Sequence, residues 1–436
     1  MTTESLVIDQ SQAEEDYPLS PVPMSARRPI WSLAPLLMGF TLTSTTLFAG
    51  GKLGNAFKFT DIIWITIVGN LLLGIYCATL GFITARSGLN TVLMARFSFG
   101  NIGCRWVDFI LGFTQIGWFA VTNAFVADAL NTLVGMPKSL NWLVILFVTY
   151  AFCATAYFGY TAMDWLSRLA VPAMLILIGI SMTIATKDAG SFAQLQAITP
   201  KEQLAAGAAL AVVIGSFISG GTQATNWSRF ADTPKNAILS TLAAFTFVNG
   251  SLVFIGAFCT LVYGSQDIVE AMAKQGILFA GLILLILNVW TTQDNTIYAF
   301  SVAGANFFRN SKRNLFVLGG ATLALILSLA GIYSLLIPYL IFLGAVIPPV
   351  GGIVMVDFWL RHQGQFPPLE SRLPAFNWAG AIAYVVASVV AYLSGQMNLG
   401  VAPINGIVVA AILYAILIKM IPQPIREPVQ EPVQES

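Results

Sequence analysis

Long apolar stretches with almost no charge are the feature that most constrains how this chain can fold. Segments such as 143–157, 169–184 and 277–287 are mostly apolar on every side, and a bilayer core takes about 20 residues of helix to cross. Of the 436 residues, 57% are hydrophobic and 9% are charged, whereas a soluble domain carries roughly 25% charged residues. The sequence therefore predicts an all-α integral membrane protein whose surroundings are the lipid bilayer.

Apolar runs between polar clusters predict twelve transmembrane helices, here numbered spans 1 to 12. Their centres lie near residues 42, 72, 119, 151, 176, 217, 248, 288, 323, 346, 386 and 411. The expected organisation is a disordered tail over 1–26, spans 1–5 over 27–190, spans 6–10 over 203–360, spans 11 and 12 over 373–422, and a disordered tail over 423–436. With the N-terminus inside, 15 of the 21 Lys and Arg residues fall in inner connections. The positive-inside rule then predicts an inner (plasma) membrane protein with both termini cytoplasmic.

Charge, histidine and cysteine content exclude several classes of function. A net charge of +1 provides no basic face for nucleic acid. The four cysteines stand singly and His362 is the only histidine, so disulfides, zinc sites and catalytic triads have little to build on. We expect no cofactor and no enzymatic activity.

Two spans contain helix-breaking sequences at their centres. Small and hydroxyl residues crowd 39–46 in span 1 and 215–223 in span 6. Irregular backbone at membrane depth is tolerated where it lines a cavity, which is typical of transporter binding sites. Because the two spans are five apart, an odd number, they predict an inverted repeat of spans 1–5 and 6–10. Close helix packing through small residues is the alternative explanation.

A polar octet in span 8 suggests a cation site. Asn288, Thr291 and Thr292 lie at i, i+3 and i+4, which places them on one helical face. Two hydroxyls and the Asn288 carbonyl are hard neutral ligands suited to Na⁺. Carbonyls of Gly39 and Leu42, freed in the broken span 1, are spaced to complete the set. Alternatively, both threonines bond back to carbonyls of their own helix.

Span 3 carries an amide beside an aromatic ring. Gln115 and Trp118 are one turn apart, and such a pair can stack on a flat heterocycle while reading its edge. Phe217, in the broken part of span 6, is a candidate for the opposite face of the ligand. The alternative is that these aromatic residues serve packing or anchor the helices at the membrane interface.

Seven short motifs follow one another along the chain. They are PVP at 21–23 with SAR at 25–27, GNLLLG at 69–74, ARFSFG at 95–100, TQIGWF at 114–119, GSFIS at 215–219, NVWTTQDN at 288–295 and PPVGG at 348–352. In this order they resemble the cytosine permeases of the nucleobase–cation symporter family (purine-cytosine permease-like), over about residues 21–422. The resemblance implies a LeuT-like five-plus-five fold with discontinuous helices 1 and 6. It also implies sodium-coupled import of cytosine by alternating access, with a bundle around spans 1 and 6 moving against a scaffold containing spans 3 and 8.

The resemblance also implies roles for individual residues. A base would stack between Trp118 and Phe217, with its edge bonded by Gln115, Ser216 and Ser219. Sodium would be held by the carbonyls of Gly39, Leu42 and Asn288 and the hydroxyls of Thr291 and Thr292. Two candidate substrate-binding positions depart from the family pattern: Gln293 stands where Asn is expected, and Thr43 stands in place of an aromatic residue.

Two alternatives concern the coupling ion and the substrate. Asp294 is a carboxylate inside the hydrocarbon region, which marks either a proton path or a structural acceptor for nearby hydroxyls. A proton-coupled importer of another heterocycle, such as a purine, hydroxymethylpyrimidine, hydantoin or allantoin, is therefore the rival hypothesis. In either case we expect a monomer.

Overall fold

The computed structural model describes residues 16–265, 268–332, 336–371 and 373–421. These residues are helical apart from their connections and one isolated bridge between Arg28 and Ala231. Residues 1–15 of the predicted N-terminal tail and the whole predicted C-terminal tail, 423–436, lie outside the described residues, as does residue 422. Residues 16–26 correct the prediction of a disordered tail, because Asp16 and Tyr17 are buried and Met24–Ala26 forms a turn of 3₁₀-helix.

The helices are numbered here in chain order. The first half comprises α1 (Ile30–Thr41), α2 (Ser44–Ala56), α3 (Phe59–Ser87), α4 (Thr91–Phe99), α5 (Cys104–Val134), α6 (Asn141–Phe158), α7 (Tyr160–Asp188) and α8 (Phe192–Ala197). The second half comprises α9 (Ala206–Gly215), α10 (Ile218–Gln223), α11 (Thr225–Ser228), α12 (Pro234–Leu242), α13 (Asn249–Tyr263), α14 (Ile268–Lys274), α15 (Leu278–Phe308), α16 (Arg313–Leu329), α17 (Leu336–Val346), α18 (Pro348–Val356), α19 (Trp378–Gln396) and α20 (Ala402–Met420). Two π-helical segments, Ala243–Val248 and Asp357–Arg361, continue α12 and α18.

Both predicted helix breaks are present. The axes of α1 and α2 differ by 53°, and those of α9 and the following segment by 43°. In the first break Thr43 is extended (φ −130°, ψ 142°), and its amide donates to Thr41 O at 2.9 Å. A continuous helix would direct that amide to Gly39 O. The break therefore frees a backbone carbonyl in the middle of the span.

The described residues contain eight apolar helices long enough to cross a membrane and three bent helix pairs. The third pair, α15 and α16, turns by 116°. The order of elements repeats, since a broken pair, a long span, a short helix and a 31-residue helix occur in each half. The all-α membrane fold is thus as predicted, whereas the count of twelve and the inverted relation of the halves stay predictions.

Packing brings the two breaks to one place. The long helix α15 lies against α5 and α7, and α1 lies against α7. Large apolar side chains such as Trp64, Phe147 and Trp165 remain exposed on the outside, as expected for helices solvated by lipid. The interior between α5, α15 and the two breaks is where polar residues collect.

Candidate substrate and cation site

A cavity lies between the two helix breaks, α5 and α15. It is lined by Phe40, Thr43, Thr45, Gln115, Trp118, Ser216, Phe217, Ser219, Gly220, Thr292 and Thr296. Every predicted substrate residue except Gln293 is among them.

Two aromatic residues face the cavity from different helices. The indole Nε1 of Trp118 donates to Ser219 Oγ at 3.2 Å, which ties α5 to α10. The ring of Phe217 packs edge-to-face on Phe40, with centroids 4.9 Å apart. A Cβ at Gly220 would lie 2.5 Å from the Phe217 ring and 2.9 Å from the Phe40 ring. Glycine at this position therefore allows the two rings to lie against α10.

The polar groups of the cavity differ in whether they are already paired. Ser216 Oγ donates to Val213 O at 2.7 Å, and Ser219 accepts from Trp118. Gln115 is only 2% exposed, and its Nε2 has no hydrogen-bond partner among the described residues. A buried unpaired amide costs about 1–3 kcal/mol. The Gln115 amide is thus a donor that a bound ligand with an acceptor on its edge would satisfy.

Hydroxyl groups form another part of the wall. Thr43 Oγ1 and Thr45 Oγ1 are 3.2 Å apart, and Thr296 Oγ1 donates to Thr292 O at 2.7 Å. Sequence reasoning missed Phe40, Thr45, Gly220 and Thr296. Thr296 follows Thr292 by one turn, so extending the i, i+4 pattern of span 8 would have found it.

Oxygen atoms predicted to bind a cation converge beside the cavity. Thr292 Oγ1 lies 3.0 Å from Asn288 O and 3.4 Å from Leu42 O, and Asn288 Nδ2 donates to Leu42 O at 2.6 Å. Thr291 Oγ1 lies 2.9 Å from Leu287 O and 3.2 Å from Asn288 O. Both threonines therefore bond back within α15, and Thr292 also reaches the first break.

The donor atoms of this cluster are all oxygens. Gly39 lies in the last turn of α1, where its carbonyl has lost the Thr43 amide as a partner. The oxygens of the cluster belong to neutral carbonyl and hydroxyl groups, which favour an alkali or alkaline-earth ion over a transition metal. No group of three or more His, Cys, Asp or Glu side chains within the described ranges is placed to hold a metal.

Gln293 and Asp294 lie outside the cavity lining. Gln293 Nε2 donates to Phe119 O at 2.9 Å and to Asn123 Oδ1 at 2.8 Å, so its amide joins α15 to α5. Asp294 accepts hydrogen bonds from Thr155 Oγ1 and from the side chain of Asn295, each at 3.0 Å. Each residue turns an α-helix by 100°, so the neighbours of Thr292 face other helices. The structure does not bring Gln293 to the ligand wall, and it makes Asp294 a structural acceptor.

Comparison with known proteins bears directly on this site. A sequence model of the family described as permeases for cytosine/purines, uracil, thiamine and allantoin matches residues 21–416. The chain belongs to this family. This permease is 35% identical to the cytosine permease of Escherichia coli K12 over 402 residues, covering 92% of this chain and 94% of that relative. It is 22% identical to the purine-uracil permease NCS1 of Arabidopsis thaliana, covering 89% of this chain and 71% of that protein.

Solved structures show the same fold. The nucleobase-cation-symport-1 family transporter Mhp1, in a closed conformation with bromovinylhydantoin bound, matches with a TM-score of 0.80 at 18% identity, covering 92% of this permease and 94% of that chain. A Na⁺-coupled sialic acid symporter in an outward-open state matches with a TM-score of 0.69 at 11% identity, covering 92% of each chain. The predicted family and membrane fold are confirmed, and family membership identifies a multi-pass transport protein rather than an enzyme.

Proposed function

We propose that this permease imports cytosine together with Na⁺ by alternating access. The observation that carries the proposal is the position of Thr292, which lines the cavity and also belongs to the oxygen cluster beside it. A substrate in the cavity and a cation in the cluster would share one side chain. Their binding would then be coupled without a separate relay.

A flat heterocycle fits the substrate side of the site. The rings of Trp118 and Phe217 offer faces or edges to a planar ligand, and the Gln115 amide offers it a donor. Cytosine carries a carbonyl and a ring nitrogen on one edge, both of which accept hydrogen bonds. The name of the bacterial relative at 35% identity supports cytosine, and the hydantoin bound to Mhp1 supports the wider class of planar heterocycles.

Sodium would act by ordering the first helix break. A cation among Leu42 O, Asn288 O and Thr292 Oγ1 would hold the break against α15, and the break carries Thr43 and Thr45 into the cavity wall. Sodium binding thereby raises substrate affinity, and the substrate raises sodium affinity by the same factor. Asp294, which lies outside the cavity lining, has no comparable link to the substrate.

The proposal also covers the membrane location, the topology and the oligomeric state of the protein. The excess of basic residues in the inner connections supports an inner-membrane location with cytoplasmic termini. The proposal further takes the unit of transport to be a monomer.

Uptake by purified protein in liposomes tests the proposal. We expect radiolabelled cytosine to accumulate when Na⁺ is higher outside, and unlabelled cytosine to compete better than uracil, adenine, hypoxanthine, allantoin or hydroxymethylpyrimidine. An imposed pH gradient in potassium buffer serves as the comparison. Accumulation driven by the pH gradient alone would replace sodium with protons as the coupling ion, and stronger competition by another heterocycle would replace cytosine as the substrate.

A further inference from the structure

The segment before α1 forms hydrogen bonds with the end of α3 and with the connection after α11. Arg27 Nη1 donates to Ala85 O at 2.8 Å and to Ala231 O at 2.9 Å. Val22 N donates to Gly88 O at 3.0 Å. Residues 22–28 are thus fixed to the end of α3 and to the connection that follows α11.

Farther toward the N-terminus, Asp16 contacts a second group of helices. Its Oδ2 accepts from Tyr160 N, the first residue of α7, at 2.8 Å and lies 3.6 Å from Arg313 Nη2 at the start of α16. Gly159 has φ +87°, and a Cβ there would lie 2.5 Å from Asp16 Oδ2. Burial raises the pKa of the Asp16 carboxyl, whereas Arg313 and the Tyr160 amide lower it. The backbone before α7 therefore forms a recess for the Asp16 carboxyl group. Glycine at position 159 keeps this recess open, because any side chain there would occupy it.

Arg229 connects the same segment to the broken span 6. It follows α11 and is completely buried. Its guanidinium donates to Asp16 O and to Tyr17 O, each at 2.8 Å. A buried arginine is stable only when its donors are satisfied. Asp16 thus has its carbonyl on the element after α11 and its carboxyl group on α7 and α16.

We propose that residues 16–28 form a strap that holds this end of the transporter closed, with Asp16 as the catch. The proposal rests on the alternating access proposed above, in which spans 1 and 6 move relative to the scaffold. Separation of α11 from α7 and α16 would pull Asp16 out of its recess and break its ion pair with Arg313. The strap therefore favours the closed state at this end, and removal of its catch shifts the population toward the open state.

Cysteine accessibility measures this shift without any substrate. Ser32 is buried in α1, and its Oγ lies 3.1 Å from Tyr160 OH. It therefore reports on the contact between α1 and the start of α7, where Asp16 also binds. Ser32→Cys is introduced into the full chain after the four native cysteines are replaced, and its reaction with a soluble maleimide is timed in detergent. We expect Asp16→Ala to raise the labelling rate by about fivefold or more, and Asp16→Asn to have a smaller effect because an acceptor for the Tyr160 amide remains.

Asp164→Ala is the matched control. Asp164 lies one turn into α7 and pairs with the half-exposed Arg168 at 2.8 Å, a contact made within one helix. Labelling in this variant should equal that of the parent. Equal labelling rates in the Asp16→Ala and Asp164→Ala proteins would overturn the strap proposal. A higher labelling rate in Asp16→Ala would also overturn it if hydrogen–deuterium exchange increased throughout the molecule, because the variant would then be unfolding. Because the labelling assay uses no ligand, it still tests the strap if cytosine is not the substrate or sodium is not the coupling ion.

Discussion

Replacement of Thr292 by alanine tests the coupling of substrate and cation at the residue they share. The variant removes one hydroxyl from the oxygen cluster, where Thr292 Oγ1 lies 3.0 Å from Asn288 O and 3.4 Å from Leu42 O. An interaction with a charged partner contributes about 1.5–3 kcal/mol, and 1.4 kcal/mol corresponds to about tenfold in affinity. We therefore expect the Na⁺ affinity to fall by about 10- to 100-fold.

The same variant should weaken cytosine binding, although the loss of the hydroxyl and γ-methyl groups of Thr292 leaves the aromatic side chains of the cavity intact. At sodium concentrations below saturation, cytosine affinity should fall with sodium occupancy, and high Na⁺ should restore much of it because binding is linked. The assay is the thermal stabilisation of the detergent-purified protein by cytosine over a Na⁺ titration, since a ligand of the native state raises its stability. Potassium replaces sodium in the reference buffer.

Two variants separate a ligand effect from a general loss of threonine. Thr292→Ser keeps the hydroxyl and should remain close to the parent. Thr183→Ala removes an exposed threonine of α7 that makes the same back-bond, to Gly179 O at 2.8 Å, and should leave the Na⁺ titration unchanged. An unaltered sodium dependence in a folded Thr292→Ala protein would remove Thr292 from the cation site and refute the coupling argument.

Three further substitutions probe the substrate side. Trp118→Ala should lower cytosine affinity by about 5- to 100-fold, because stacking of a base on an aromatic ring contributes about 1–3 kcal/mol; retained affinity in a titration with labelled cytosine would eliminate the stacking role. Gln115→Met should lower cytosine affinity without lowering the melting temperature, because it removes a buried donor that is unpaired in the ligand-free protein; a lower melting temperature would contradict this. Gly220→Ala places a Cβ 2.5 Å from the Phe217 ring and should cost about 1–3 kcal/mol in stability as overpacking, measured by thermal unfolding; a protein as stable as the parent would show that the ring is free to move.

The two helix breaks illustrate what local sequence can predict. Glycine and hydroxyl residues at 39–46 and 215–223 act on their own backbone, so the breaks could be placed before any packing was known. Their position in turn made Gln115, Trp118 and Phe217 candidates for one cavity, and all three line it. Thr43, a departure from the family pattern, also lies in the wall.

Gln293 and the N-terminal segment illustrate the opposite case. The amide of Gln293 is as suited to a substrate as that of Gln115, yet it faces Phe119 and Asn123. Residues 16–26 are polar and read as a tail, yet Asp16 is buried against a helix start more than a hundred residues away. Neither partner is visible in the surrounding sequence.

By itself, then, the sequence determined the membrane environment, the breaks at 39–46 and 215–223 and the types of group available at the site. These follow from hydrophobicity and backbone preference, which act over a few residues. Only the tertiary structure decided which side of α15 meets the cavity, that Thr292 is shared between cavity and oxygen cluster, and that Asp16 contacts α7 and α16. These depend on how each helix is rotated against its neighbours, and a rotation of 100° per residue exchanges one functional side chain for the next.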